Sequence, residues 1–178
     1  MSPRGVHIKD IATIAVFAAL TAAGAYVSLP VGTVPVTLQT LISLLSGLLL
    51  GARKGALSQV VYLLLGISGL PVFAGGAAGI GYLFGPTGGF LLGFIACSFA
   101  AGLISENGDS LGRHIIAAIS GTIVLYLFGL PVLMLFCHFS LSHALLIGFV
   151  PFLPVDILKI IVAVLVTRKV APHLARPR

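Results

Sequence analysis

Four acidic residues occur in the chain, and one of them, Asp156, lies in an otherwise apolar stretch. Lys159 follows it in Pro154-Val155-Asp156-Ile157-Leu158-Lys159. A charged side chain at membrane depth costs about 2.5–3.5 kcal/mol on insertion scales, so such residues usually mark function. Pro154 suits the first turn of a helix, where its missing N–H costs nothing. Asp156 then falls in that first turn, where the helix dipole stabilises an anion. The i,i+3 spacing puts both side chains on one helix face. The functional reading is a recognition pair facing an outward-open cavity. Lys159 can hold a carboxylate, and Asp156 can accept from N–H or O–H donors on the same ligand. The plainer reading is an intrahelical ion pair that neutralises itself. The two coexist if polar groups of a ligand join the pair.

Three further segments carry candidate roles. Residues 66–89 hold nine glycines, in Gly75-Gly76-Ala77-Ala78-Gly79-Ile80-Gly81 and Gly85-Pro86-Thr87-Gly88-Gly89. Such backbone can approach a ligand closely and offer it N–H and C=O groups. Phe73, Tyr82 and Phe84 supply apolar walls. A flexible connector between spans has the same composition. The turn Val34-Pro35-Val36-Thr37 is stiffened by Pro30 and Pro35, and Gln39 behind it offers donors and an acceptor. It is either a lid or a tight turn with Thr37 capping the next helix. Ala15, Ala19 and Ala23, with Ala18 and Ala22 beside them, form a small-residue stripe that lets another helix come close. Its partner is another subunit, a second copy of the chain among them, or a neighbouring helix of the same chain.

Other chemistries fare worse. Gly66-Ile67-Ser68-Gly69 invites an intramembrane serine protease, with His138 or His143 as base. A nucleophile needs its base within hydrogen-bond reach; Ser68 falls at a helix end before Pro71, and both histidines lie in the outer segment 131–153. A phosphate-binding loop requires Gly-Lys, which does not occur. One acid and one base make a poor ion filter. Cys97 and Cys137 sit in apolar surroundings with no metal spacing and no disulfide framework. No metal or cofactor is expected, and no catalytic residue.

The elements that must position these residues follow from charge placement. Of 178 residues, 58% are hydrophobic and 8% charged, against about 25% charged in a soluble domain. That excludes a soluble enzyme and a nucleic-acid binder, despite the net charge of +6. Residues 11–52, 55–105 and 114–155 carry no Asp, Glu, Lys or Arg. Each block is about twice the roughly 20 residues that cross a bilayer core, so each reads as a helical hairpin. The expected fold is a single all-α membrane domain over 1–178. Its six spans run over 11–29, 37–50, 55–67, 87–105, 114–130 and 154–167. Arg4, Lys9, Arg53, Lys54, Arg113, Arg168, Lys169, Arg176 and Arg178 all fall on one face, which places both termini in the cytoplasm. Residues 131–153 are too apolar for a plain outer loop and read as an interfacial or re-entrant piece. Ala23-Gly24-Ala25 imitates a cleavage site, but the long apolar run and the spans that follow favour an uncleaved first helix.

These segments together resemble the BioY family, the biotin-specific S subunits of energy-coupling-factor vitamin transporters. The resemblance is carried by Val34-Pro35-Val36-Thr37-Leu38-Gln39-Thr40, Gly69-Leu70-Pro71-Val72-Phe73-Ala74-Gly75-Gly76, Gly85-Pro86-Thr87-Gly88-Gly89-Phe90-Leu91-Leu92-Gly93-Phe94 and Pro154–Lys159, in this order. It implies a six-helix bundle in a prokaryotic inner or plasma membrane. It implies a biotin pocket near the outer face, built from Asp156 and Lys159 with Gln39, Phe73, Gly75, Gly76, Ala77, Ala78 and Tyr82. The turn Val34–Thr37 is then the gate. Its partners are lipid, a transmembrane coupling subunit docking on Ala15, Ala19 and Ala23, and two cytoplasmic ATPases. Val155 departs from the glycine expected before the acid. Ala77–Ala78 stands where relatives place a polar side chain, which shifts recognition toward backbone, Asp156 and Lys159.

Overall fold

The structure, a computed structural model, describes residues 8–173. Arg4, Arg176 and Arg178, three of the charges used above for orientation, lie outside the described residues. Helix α1 spans Ile8–Tyr26 and leads into a two-stranded hairpin, β1 Ser28–Leu29 against β2 Val36–Thr37. Helices α2 (Gln39–Leu50) and α3 (Ala52–Ile67) follow. A loop with short 3-10 turns at Ala74–Gly76 and Ile80–Phe84 leads to α4 (Gly88–Ser105). Then come α5 (Leu111–Cys137), the short α6 (Leu141–Gly148), a 3-10 turn at Val150–Phe152 and α7 (Leu153–Val170).

The centre of the bundle is α2. Its 12 residues measure only about 18 Å at 1.5 Å per residue, less than a bilayer core. It is therefore sheathed by protein rather than lipid, with Leu44 and Leu48 fully buried. Small polar side chains tie it to its neighbours. Ser98 of α4 donates to the Ser43 carbonyl at 2.8 Å, and the Ser46 and Ser98 hydroxyls lie 2.9 Å apart. Gln59 of α3 accepts from Ser43 and donates toward Thr21 of α1 and Ser46 of α2. Such bonds hold helices together where there is no hydrophobic drive between them. Four helical stretches are long and apolar enough to cross a membrane: Ile8–Tyr26, Gly88–Ser105, Leu111–Cys137 and Leu141–Val170.

Cross-contacts define two ends. At one, Lys54 pairs with Asp10 at 2.6 Å and the Glu106 carboxylate accepts from the Ala52 N–H at 2.8 Å. Arg53, Arg113, Arg168 and Lys169 belong to this end by their place on α3, α5 and α7. The hairpin, the glycine-rich loop and the start of α7 make the other end. There Leu38 N–H donates to Gly24 and the Tyr26 hydroxyl donates to the Pro71 carbonyl.

Some boundaries differ from the expected ones. Helix α5 does not stop at Leu130: it continues through Pro131 to Cys137, and α6 follows. Residues 131–153, expected as an interfacial or re-entrant piece, form a helix extension, a short helix and a 3-10 turn. Proline inside a membrane helix is tolerated where surroundings re-satisfy the freed carbonyl. Helix α3 starts at Ala52 rather than Gly55, so Arg53 and Lys54 lie in its first turn and Gly51, at φ 84°, makes the turn alone. Glu106 explains this: it satisfies one of the orphan N–H groups of the helix start and sets a negative charge at the positive end. Helix α1 ends at Tyr26 because Ser28 and Leu29 pair with Thr37 and Val36.

Candidate ligand-binding site

A cavity of about 530 Å³, its open mouth included, lies at the hairpin end of the bundle. Helix α7 contributes Asp156 and Lys159, α5 Leu125 and Tyr126, and α4 Phe90, Leu91 and Phe94. The hairpin and the start of α2 bring Val34, Pro35, Val36, Thr37, Gln39 and Thr40. The loop adds Tyr82 and Thr87, and Phe152 closes the list of walls before α7.

Its polar core is the pair on α7. Pro154 opens the helix, so Asp156 falls in the first turn and Lys159 one turn on. Lys159 Nζ donates to Asp156 Oδ1 at 3.2 Å. The second carboxylate oxygen, Oδ2, accepts from the Tyr126 hydroxyl. Asp156 and Lys159 are 6% and 5% exposed. Both charges are thus withdrawn from solvent and lipid, and both face the same hollow. An ammonium has three donors and each carboxylate oxygen two lone pairs, so the pair keeps capacity for a ligand.

Gln39 sits in a relay. Thr37 Oγ1 donates to Gln39 Oε1 at 3.0 Å, Gln39 Nε2 donates to the Tyr62 hydroxyl, and that hydroxyl donates to the Val72 carbonyl at 3.2 Å. The hairpin is thereby joined to the glycine-rich loop through α2 and α3. Thr37 also accepts from the Gln39 N–H at 3.3 Å, a local turn bond just ahead of α2, whose cap residue Leu38 has no capping side chain.

Of the loop residues expected at the site, Tyr82 lines the cavity and the others do not. Phe73 is fully buried, stacked on Tyr82 at 5.2 Å and edge-on to Tyr62 at 5.8 Å. Its ring fills the notch left by Gly66, where any Cβ would collide with it. Gly75, Gly76, Ala77 and Ala78 form the loop tip, closed by a bond from Phe73 N–H to the Ala77 carbonyl at 3.0 Å. Ala15, Ala19 and Ala23 are exposed on the outer face of α1, while Ile14, Ala18 and Thr21 face inward.

Several lining residues escaped the sequence. Phe90, Phe94 and Phe152 are apolar residues in apolar stretches and carry no distinguishing signal. Tyr126 does carry one, being a phenol in a long apolar span where its hydroxyl needs a partner. Ser68 gives the protease reading no support: it is exposed and its hydroxyl donates to the Leu65 carbonyl at 2.8 Å.

Fold and cavity together define a membrane-embedded helical bundle with a small-molecule pocket at one end. The BioY family model matches residues 1–176, and the chain belongs to the BioY family. It is therefore a transport protein rather than an enzyme. The biotin transporter BioY of Thermotoga maritima is 39% identical over 159 residues, covering 89% of this chain and 94% of the relative. The probable biotin transporter BioY of Pyrococcus horikoshii is 39% identical over 161 residues, covering 90% and 95%. In fold, the chain matches the crystal structure of the S-component for biotin from an ECF-type ABC transporter. That match has a TM-score of 0.86 at 24% identity, over 96% of this chain and 94% of that one.

Proposed function

We propose that the chain captures biotin at the hairpin end of the bundle and delivers it across the membrane as the substrate-specific subunit of an ECF-type transporter. The observation that carries this is the buried Asp156–Lys159 pair inside an otherwise largely apolar cavity, in a chain of the BioY family. Biotin has a carboxylate, a cyclic urea with two N–H donors and one C=O acceptor, and an apolar thiophane and chain. Lys159 takes an anionic or carbonyl oxygen, and Asp156 takes a ureido N–H. Phe90, Phe94 and Phe152 pack against the thiophane and chain.

The turn Val34–Thr37 acts as gate and the loop of Phe73, Gly75, Gly76, Ala77 and Ala78 closes over the ligand. The relay from Thr37 through Gln39 and Tyr62 to Val72 supports this by linking the two. The bundle spans a prokaryotic inner or plasma membrane six times with both termini in the cytoplasm. Arg53, Lys54, Arg113, Arg168 and Lys169 at one end support that orientation. Helices α2 and α3 count as two of the spans; α2 is sheathed by its neighbours, while α3 turns Leu57 and Leu64 outward. The outward face of Ala15, Ala19 and Ala23 docks the transmembrane coupling subunit, which carries two cytoplasmic ATPases.

Equilibrium binding of radiolabelled biotin to detergent-purified protein tests the capture step. Saturable binding, competed by unlabelled biotin, is the expected result. Absence of saturable binding contradicts the proposal.

A further inference from the structure

Among the described residues, the carboxylate of Asp156 has two partners, and only one of them is a charge. Lys159 sits on Oδ1; the Tyr126 hydroxyl sits on Oδ2. The phenol belongs to a different helix, α5, and its ring is held from two sides. Phe149 meets it edge-on at 4.8 Å and Phe90 at 6.1 Å. Tyr126 is itself buried and lines the cavity. Its hydroxyl therefore arrives from a locked ring, whereas the Lys159 ammonium arrives on a flexible stem.

We infer that Tyr126 is a positioning residue for ureido recognition, resting on the proposed biotin site. It fixes the plane of the Asp156 carboxylate, so that the free lone pairs point at one ureido N–H. It also gives the buried carboxylate a partner other than Lys159, which leaves the ammonium able to turn toward a ligand oxygen. Without the hydroxyl, Asp156 depends on Lys159 alone, and ligand and carboxylate compete for the same ammonium. Tyr126 thus sets discrimination between a ligand with a free N–H at that position and one without it.

The test uses Tyr126→Phe, which keeps the ring between Phe90 and Phe149. Affinities are measured for biotin and for two analogues, each methylated at one ureido nitrogen. Wild-type protein is expected to bind biotin and to reject at least one analogue strongly. In Tyr126→Phe, biotin affinity falls roughly tenfold, the scale of one hydrogen bond to a charged group. The rejected analogue loses much less, so discrimination shrinks. In the Asp156→Asn background the same change has little further effect, because the two residues act as one unit. The inference is overturned if Tyr126→Phe leaves all three affinities unchanged, or lowers all three by one factor, as general loosening of the bundle would. It is also overturned if wild-type protein binds biotin and both methylated analogues alike. Failure of wild-type protein to bind biotin removes the proposed function, and this inference with it.

Discussion

At the scale of single residues, the site is an exercise in keeping two opposite charges dry. Removing one member of a buried ion pair leaves the other uncompensated, at a typical cost of about 3–5 kcal/mol. Lys159→Ala is therefore expected to lower the thermal midpoint as well as biotin affinity. Asp156→Asn, which keeps shape and a hydrogen-bond acceptor, should weaken binding less. Pairing Asp156→Asn with Lys159→Met removes both charges and should recover most of the lost stability while binding stays weak. Thermal unfolding in detergent beside a binding titration separates the two effects; recovery of both together would mean the pair is structural only. The pair was legible because charges in an apolar stretch stand out, and Gln39 and Tyr82 because polar groups flank turn signals. Tyr126 was legible in principle but lacked a second residue at helical spacing to mark it, since its partner is on another helix. Phe90 and Phe94 look like any lipid-facing phenylalanine until the packing is known.

At the scale of elements, the hairpin and the glycine-rich loop are not independent. The chain of bonds from Thr37 to Val72 passes through the buried amide of Gln39 and the Tyr62 phenol. Tyr62→Phe is expected to loosen residues 70–81, seen as faster hydrogen exchange there with α4 and α5 unchanged. Gly66→Ala should do the same more strongly, because its methyl displaces the Phe73 ring that anchors the loop. Equal exchange in wild type and both variants would show that the relay does not hold the loop. Away from the site, Gln59→Leu strips partners from Ser43, Thr21 and Ser46. Buried polar bonds in membrane bundles average about 0.6 kcal/mol each, so a loss of about 1–2 kcal/mol is expected, measured by unfolding, with biotin affinity within about twofold of wild type. Elements were readable from uncharged blocks, turns and prolines. Their ends were not, because Pro131 reads as a stop yet sits inside α5, and the start of α3 is set by Glu106, 54 residues away in sequence.

At the scale of the whole molecule, the bundle divides its labour between ends and faces. The cavity occupies the hairpin end, positive charges gather at the opposite end, and α1 turns Ala15, Ala19 and Ala23 outward. A small-residue face permits close helix contact, and here no helix of the same chain covers it among the described residues. Leucine at Ala15 and Ala19 together is expected to leave biotin binding by the purified chain unchanged. The same variant should abolish uptake in vesicles reconstituted with the proposed coupling subunit and ATPases. Normal uptake would remove this face as the docking surface. The alternating blocks of charge made the bundle readable from sequence; which face of α1 looks outward depends on the packing of Thr21 and Ala18 against α2 and α3.

Calorimetric titration of biotin into purified wild-type protein, Asp156→Asn and Lys159→Ala is the most direct test of the site. One site per chain is expected in the wild type, with weaker binding in Asp156→Asn and the weakest in Lys159→Ala. Unchanged affinity in both variants would contradict the proposed site.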